Sequence, residues 1–505
     1  MNRIKDLTSG NIFPQIVKLA IPIIATSFVQ MAYNMTDMAW LGHVGKETVS
    51  AVGMALYLVW FGTSLMYITK IGAEVGISQS IGRKNFDDAR SFVKNAFSLS
   101  LLISIAFAII VWIFAHPIIS TFNIENDFVN QTAVNYLRFI AFGMPFTFSN
   151  ISISGIYNGI GNTRTPFVVN TIGLIINIIL DPILIFGWGD IPAMGAKGAA
   201  IATVGSQFTV FVIFIYNLYI RQNPLSIKNY IGKLQKQYLR PIVKVGGPVA
   251  LQSVCFAFLA MILARVLNNI AEGNEIPFAV QSIGAQIEAL SWMTALGFST
   301  ALGTFTGQNY GAGKWDRIQK GFFITLGIAS FIGLISTALF LFLGESIFGL
   351  FLKNTEHEVV QLGAVYLIIL SFSQIFMSIE ITATGAFNGI GRAIPPAIVG
   401  IIGNVLRIPF AFLFSYTLLD LLPLFQSWIA SESVQVTGVW WGITLSSFLK
   451  GSILFIWFLI LLYKHPENEH PLPFQEFWIR LIPSRLRQTS IIINPMENEE
   501  IKKRT

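Results

Sequence analysis

The chain reads as long apolar runs separated by short polar breaks. Six runs fall near residues 14–42, 50–80, 92–115, 131–158, 166–187 and 198–220, and six more near 248–268, 279–306, 321–343, 360–388, 395–418 and 438–463. A hydrocarbon core of roughly 30 Å is crossed by about 20 apolar residues in a helix, and every run has that length or more. The pattern therefore predicts an all-α integral membrane protein with twelve transmembrane helices. A basic connector at 221–244 separates a first lobe, 1–220, from a second, 245–463, and a tail follows at 464–505. In that tail FQEFWIRLIPSRLR alternates apolar with basic residues, as an interfacial amphipathic helix would, ahead of a charged and disordered end.

The two sets of runs repeat one another. GIYNGIG, with Gly155, Asn158, Gly159 and Gly161, returns as GAFNGIG, with Gly385, Asn388, Gly389 and Gly391. Gln79, Gly82 and Asp87 return as Gln308, Gly311 and Asp316, and IVKLAIP from Ile16 returns as IVKVGGP from Ile242. Three motifs in the same order imply duplication. Because each half has an even number of spans, both enter from the same side, so the halves are parallel repeats about a pseudo-two-fold axis along the membrane normal. Transporters of this design hold substrate between the lobes and rock them to expose it to each side in turn.

Composition agrees with the pattern: 53% of the 505 residues are hydrophobic and 12% charged, with a mean hydropathy of +0.64, against about 25% charge in soluble domains. The lone Cys255 excludes an intramolecular disulfide and any cysteine-cluster metal site. The start, MNRIKDLTSGNIFPQ, lacks a cleavage signature and runs into a full span, so a first helix and not a removed signal peptide is expected.

Charge then sets orientation. Lys and Arg gather on one side of the spans, at Arg3, Lys5, Arg83, Lys84, Arg90, Lys94, Arg164, the connector, Lys314, Arg317, Lys320, Arg392 and Lys464, while the opposite loops hold Lys46, Lys197 and Lys353. Basic residues are retained on the cytoplasmic side of short loops, which places both termini in the cytoplasm and the chain, multi-pass, in the cell membrane. The net charge of +7 thus belongs to inward-facing loops and not to nucleic-acid binding.

Ionisable groups inside apolar runs carry the candidate chemistry, since charge at membrane depth is expensive. Asp37 stands in AYNMTDMAWLG, and Asn177 and Asp181, four residues apart, share one helical face. Two carboxylates and an amide can hold a proton, or Na⁺ through hard oxygen ligands. A structural reading stands beside this one, with Asp37 at the interface and Asp181 at a helix end before Pro182. Arg265, Glu288, Glu380 and Arg407 in the second lobe read as intramembrane ion pairs or polar packing. Met31, Tyr33, Met35, Trp292 and Met293 suit either a drug cleft or helix packing.

Taken in order, NMTDMAWLGHVG, SQSIGRKNFDDAR, GIYNGIGNTRTP, NIILDP and the second copy GQNYGAGKWD resemble the multidrug and toxic compound extrusion (MATE) family, over nearly all of residues 5–463. The resemblance implies two six-helix lobes and export of amphipathic, often cationic, small molecules in exchange for H⁺ or Na⁺. In the branch similar to DNA-damage-inducible protein F, the first-lobe acidic site matches Asp37, Asn177 and Asp181, with Tyr136 and Thr203 as neighbours, and Pro22 matches the bend of the first helix. The norfloxacin-resistance branch carries a glutamate in the seventh helix, and counting from Pro248 that position is Cys255, so coupling from there is not expected. No cofactor is implied beyond the coupling ion, and the expected partners are drug-like substrates and membrane lipid for a monomer. Two rivals remain. A flippase for lipid-linked sugars needs inward basic residues in the first lobe, where the candidates are acidic. A membrane enzyme lacks a nucleophile motif, a metal cluster and a phosphate-binding loop.

Overall fold

Residues 4–122, 125–219, 234–350, 357–418 and 434–463 are described by the computed structural model. Two compact units are distinguished, Met1–Phe455 and Ile456–Thr505, the second taking in the last turns of the final helix. The described residues are almost wholly helical: α1 (Ile12–Gly42), α2 (Lys46–Gly82), α3 (Phe86–Ser120), α4 (Asp127–Gly159), α5 (Arg164–Phe186), α6 (Ala196–Tyr219), α7 (Lys236–Ile270), α8 (Ile276–Gly311), α9 (Trp315–Gly349), α10 (His357–Ser371), α11 (Gln374–Gly389), α12 (Ile394–Leu413) and α13 (Val434–Tyr463).

Ten of these are long and apolar enough to cross a bilayer, and α10 with α11, bent by 51°, makes an eleventh span. The twelfth is α8, 36 residues long, whose run is diluted by Gln281, Gln286, Glu288, Gln308 and Asn309. Each predicted run thus has its helix, and the run at 360–388 has two.

Local chemistry sets the helix ends. Asn11 starts α1 by accepting from the Phe13 amide at 3.2 Å, and Asn85 and Asn126 cap α3 and α4 in the same way. Gly161 and Gly391 take φ of +77° and +78° just past α4 and α11, a turn that a Cβ disfavours, and Pro166 and Pro396 follow in the first turns of α5 and α12.

α7 begins at Lys236, inside the connector that hydropathy sets at 221–244. Its first turn is held on α3: the Gln235 amide donates to Asn95 Oδ1 at 2.7 Å, the Tyr238 hydroxyl donates to Asp88 Oδ1 at 2.9 Å, and the Tyr238 ring meets Phe92 edge-on. Such contacts extend a helix beyond the apolar window that reveals it. Connector residues 221–233 and the amphipathic tail segment lie outside the described residues.

In the first lobe α2 packs on α3 and α4, α4 on α6, α5 on α6 and α1 on α5; in the second α8 packs on α9, α10 and α11, and α7 on α12. Between lobes α1 meets α8, α2 meets α7, and α2 meets α8. The first two pairs exchange under a two-fold that carries α1 onto α7 and α2 onto α8, as the sequence repeat requires. Atomic contacts repeat too. A methyl added at Gly82 would strike the Gln308 carbonyl, and one at Gly311 would strike the Gln79 carbonyl. Gly155 lies against the Lys70 carbonyl as Gly385 lies against that of Ser299.

These crossings sit at the face where α1 and α7 begin and α2 and α8 end, called here the N face. Residues 5–10 cross it as a strap. The Lys5 amide donates to the Ile160 carbonyl of the first lobe at 3.2 Å. Two residues on, the Leu7 amide donates to Gln308 Oε1 at 2.9 Å, while Asn309 and Arg317 donate to the Leu7 carbonyl at 3.2 and 3.1 Å. Lys314 and Arg317 reach the Thr8 and Gly10 carbonyls at 2.7 and 2.9 Å. The Leu7 side chain is fully buried beneath them.

Candidate functional site

The first-lobe residues singled out from sequence come together from four helices. α1 supplies Asp37, α4 Tyr136, α5 Asn177 and Asp181, and α6 Thr203. Thr203 Oγ1 donates to Asp37 Oδ2 at 3.2 Å, and Asn177 Nδ2 donates to Asp181 Oδ1 at 3.2 Å. Asp37, Asn177 and Asp181 lie close enough to influence one another's charge, and Tyr136 feels both acids. Asn177 and Asp181 are wholly buried, and Tyr136 nearly so.

Folding of this kind follows from placement. Asn177 and Asp181 are one helical turn apart on the α5 face that packs on α1 and α6, and Asp37 stands on α1 opposite that face. The unequal result is in the hydrogen-bond accounting. Among the described residues, Asp37 Oδ1, Asp181 Oδ2 and Asn177 Oδ1 are buried with no donor. Three buried acceptor oxygens of one cluster, two of them carboxylic, thus meet no hydrogen among the described residues, and buried acceptors of this kind are normally paired. A proton shared between the carboxyls, or a small hard cation among the oxygens, would supply what is missing.

Sequence reasoning left Tyr33 unassigned between cleft and packing. It is buried on α1, one turn before Asp37, with its hydroxyl on Ser206 of α6, so it braces the acidic cluster. A hydroxyl costs little in an apolar window and gives no signal there.

The second-lobe charges form a different arrangement. Glu380 pairs with Lys450 of α13 at 3.0 Å, and Lys450 donates also to Asn404 Oδ1 at 3.2 Å. Arg407 donates to Ser446 Oγ at 3.1 Å with its guanidinium 6.0 Å from the Phe256 ring, and Glu288 accepts from Gln374 at 3.3 Å. Ion pairing and polar packing, the reading given to these residues, describe Glu380, Glu288 and Arg407; Arg265 is exposed on α7 and stands apart. Lys450, an intramembrane lysine, was a signal in the sequence that went unread. A second was Glu74 on α2, buried where the lobes meet.

Comparison with known proteins adds the family context. The sequence profile of the MatE family matches residues 22–183 and 248–413, one stretch in each lobe. A probable multidrug resistance protein NorM of Thermotoga maritima is 28% identical over 88% of this chain and 92% of its own. An FAD transporter of Shewanella oneidensis is 23% identical over 81% of this chain and 90% of its own. Among solved structures, one described as the outward-facing conformation of a multidrug resistance MATE family transporter superposes with a TM-score of 0.81 at 23% identity, covering 90% of this chain and 97% of that one.

Proposed function

Because the chain belongs to the multidrug and toxic compound extrusion family, we propose that it exports amphipathic, often cationic, small molecules across the cell membrane in exchange for H⁺ or Na⁺. The single observation that carries the coupling site is the set of three donorless buried oxygens on Asp37, Asn177 and Asp181. A buried site short of hydrogens can take up a cation, and reversible cation uptake is what an antiporter couples to export. The basic residues of the N face support placing that face, and both termini, in the cytoplasm. Contact between the lobes at that face, through Gly82, Gln308, Gly311 and Gln79, then corresponds to a state closed to the cytoplasm. The absence of a glutamate at Cys255, together with this first-lobe cluster, supports the branch similar to DNA-damage-inducible protein F.

Coupling in such a machine is reciprocal: an ion that lowers drug affinity is itself bound less tightly when drug is present. Loading the cluster neutralises Asp37, and α1 can respond at Pro22, where the ring leaves the helix one hydrogen bond short. The test is equilibrium drug binding against pH and against Na⁺, in the intact protein and in Asp37→Asn. Wild-type affinity is expected to fall with one of the two ions and to lose that dependence in Asp37→Asn, which also ceases to export. Wild-type binding indifferent to both ions would overturn the coupling site.

A further inference from the structure

Glu74 is the buried acid that the first-lobe cluster does not use. It lies on α2, 3% exposed, two turns from the helix end at the N face, where α2 crosses α8. Its Oε1 accepts from Thr304 Oγ1 of α8 at 3.1 Å, across the boundary between the lobes. The same hydroxyl stands 3.2 Å from the Asn158 carbonyl of α4, so one hydrogen is offered to two acceptors. Glu74 Oε2 is buried and meets no hydrogen-bond partner among the described residues. Lys70, one turn earlier on α2, is the charged group whose field reaches Glu74 among the described residues, and its ammonium sits over the Tyr67 ring, 5.5 Å from the centroid. Among the described residues, the facing helices α4 and α8 bring to it the neutral Asn158 and Thr304.

The repeat sharpens the point. The two-fold counterpart of Glu74 is Gly303, which lies beside it: a methyl there would press on the Gly385 carbonyl at 3.3 Å and stand in ordinary contact, 3.9 Å, with Glu74 Oε1. A near-symmetric crossing thus holds one acid on one side and no side chain on the other. Helix packing alone needs small residues at this crossing, as Gly82, Gly307 and Gly311 supply. A carboxylic acid is not required by packing, and an ionised one with a donorless oxygen is the form least suited to a dry contact.

We propose that Glu74 is a second proton-carrying group on the seam between the lobes, neutral while they meet at the N face and ionised once they part. On separation the Oε2–H bond breaks and the proton passes to water entering the seam; on closure a proton from that water bonds to Oε2 again. No other reactant is involved. The inference rests on the alternating-access reading, but it concerns a group distinct from the Asp37 cluster, and its readout is different.

The experiment places spin labels in the full-length protein in lipid at exposed N-face positions, Arg164→Cys in the first lobe and Arg392→Cys in the second, after Cys255→Ala. The inter-label distance is followed from about pH 5.5 to 8.5. In the otherwise unaltered protein the fraction at long distance is expected to rise with pH. Glu74→Gln should hold the short distance throughout, and Glu74→Asp should restore a pH dependence. Thr304→Val keeps the acid but removes a bond that exists only while the lobes meet, so the midpoint should move down by about one pH unit. A flat profile in the unaltered protein, or a Glu74→Gln profile that follows it, overturns the proposal. Should Glu74→Gln not fold, an unmoved midpoint in Thr304→Val does the same. Asp37→Asn should leave the distance profile pH-dependent while abolishing the ion dependence of drug binding, so that failure of the coupling site and failure of the seam acid give different results.

Discussion

Gly82 and Gly311 let two helix backbones touch at the N face, each against a carbonyl of the opposite lobe. A methyl at either position cannot be absorbed by a rotating side chain, because the atom it meets is backbone. Gly82→Ala is expected to cost the closed arrangement about 1–3 kcal/mol, the usual penalty for overpacking, and to lower the thermal midpoint of the purified protein. Gly327→Ala on α9, where an added methyl meets open space, should instead be neutral or stabilising by up to about 1 kcal/mol. Equal midpoints for the two variants would contradict a tight seam. At this scale the sequence was unevenly legible. Asp37 and Asp181 stand out because charge is rare in an apolar run, and Asn177 stands out by its spacing. Glu74 met the same criterion, yet it lies close to the polar end of its run, where a carboxylate reads as a boundary residue. Only the partner helix, with Thr304 facing it, reveals what it meets.

Among the elements, the strap is the one that hydropathy could not foresee, since its residues other than Leu7 are polar or glycine and its second-lobe partners are some 300 positions away. Asp6 folds it locally. The Thr8 hydroxyl and amide donate to Oδ1 at 2.7 and 2.8 Å, and Ser9 donates to Oδ2 at 3.2 Å. Those bonds, the Thr8 hydroxyl first and then its amide, together with Lys314, hold the Asp6 carboxyl below its ordinary range. Its contribution is therefore fully present above the unfolded value of about 3.9 and is lost as pH falls through the lower folded value. Protease access to the strap should stay constant from about pH 8 to 5 and rise only below about pH 4, and Asp6→Asn should remove that acid step. An acid step that persists in Asp6→Asn would assign it elsewhere. The bend between α10 and α11 was equally hidden, because a run of apolar residues carries no mark of where the helix turns. α7 was half legible: its apolar part was evident, but its first turn depends on Asn95 and Asp88 of another helix.

For the whole molecule, length and repetition of the apolar runs sufficed to give twelve spans in two halves, because lipid allows few alternatives to a helix. The two-fold was legible in the glycines, since backbone contact tolerates no other residue. What the runs could not convey was how the lobes meet, a matter of individual side chains. Sidedness is tested by single cysteines in the Cys255→Ala background: Arg392→Cys should react with an impermeant reagent only from within, and Lys46→Cys only from outside. Reversed labelling would invert the molecule. The strap also sets an order of events during synthesis. Leu7 leaves the ribosome first, yet Gln308, the residue its amide binds, follows 301 residues later. At 5–20 residues per second the N-terminus waits on the order of 15–60 s for its partner. Throughout that interval the Leu7 side chain lacks the second-lobe residues that later bury it, and its backbone groups are left to water. Their docking thus waits until α8 and the start of α9 have been made, and a chain arrested after α6 would keep Leu7 unmet, a mark by which quality control could tell it from one that has begun its second half.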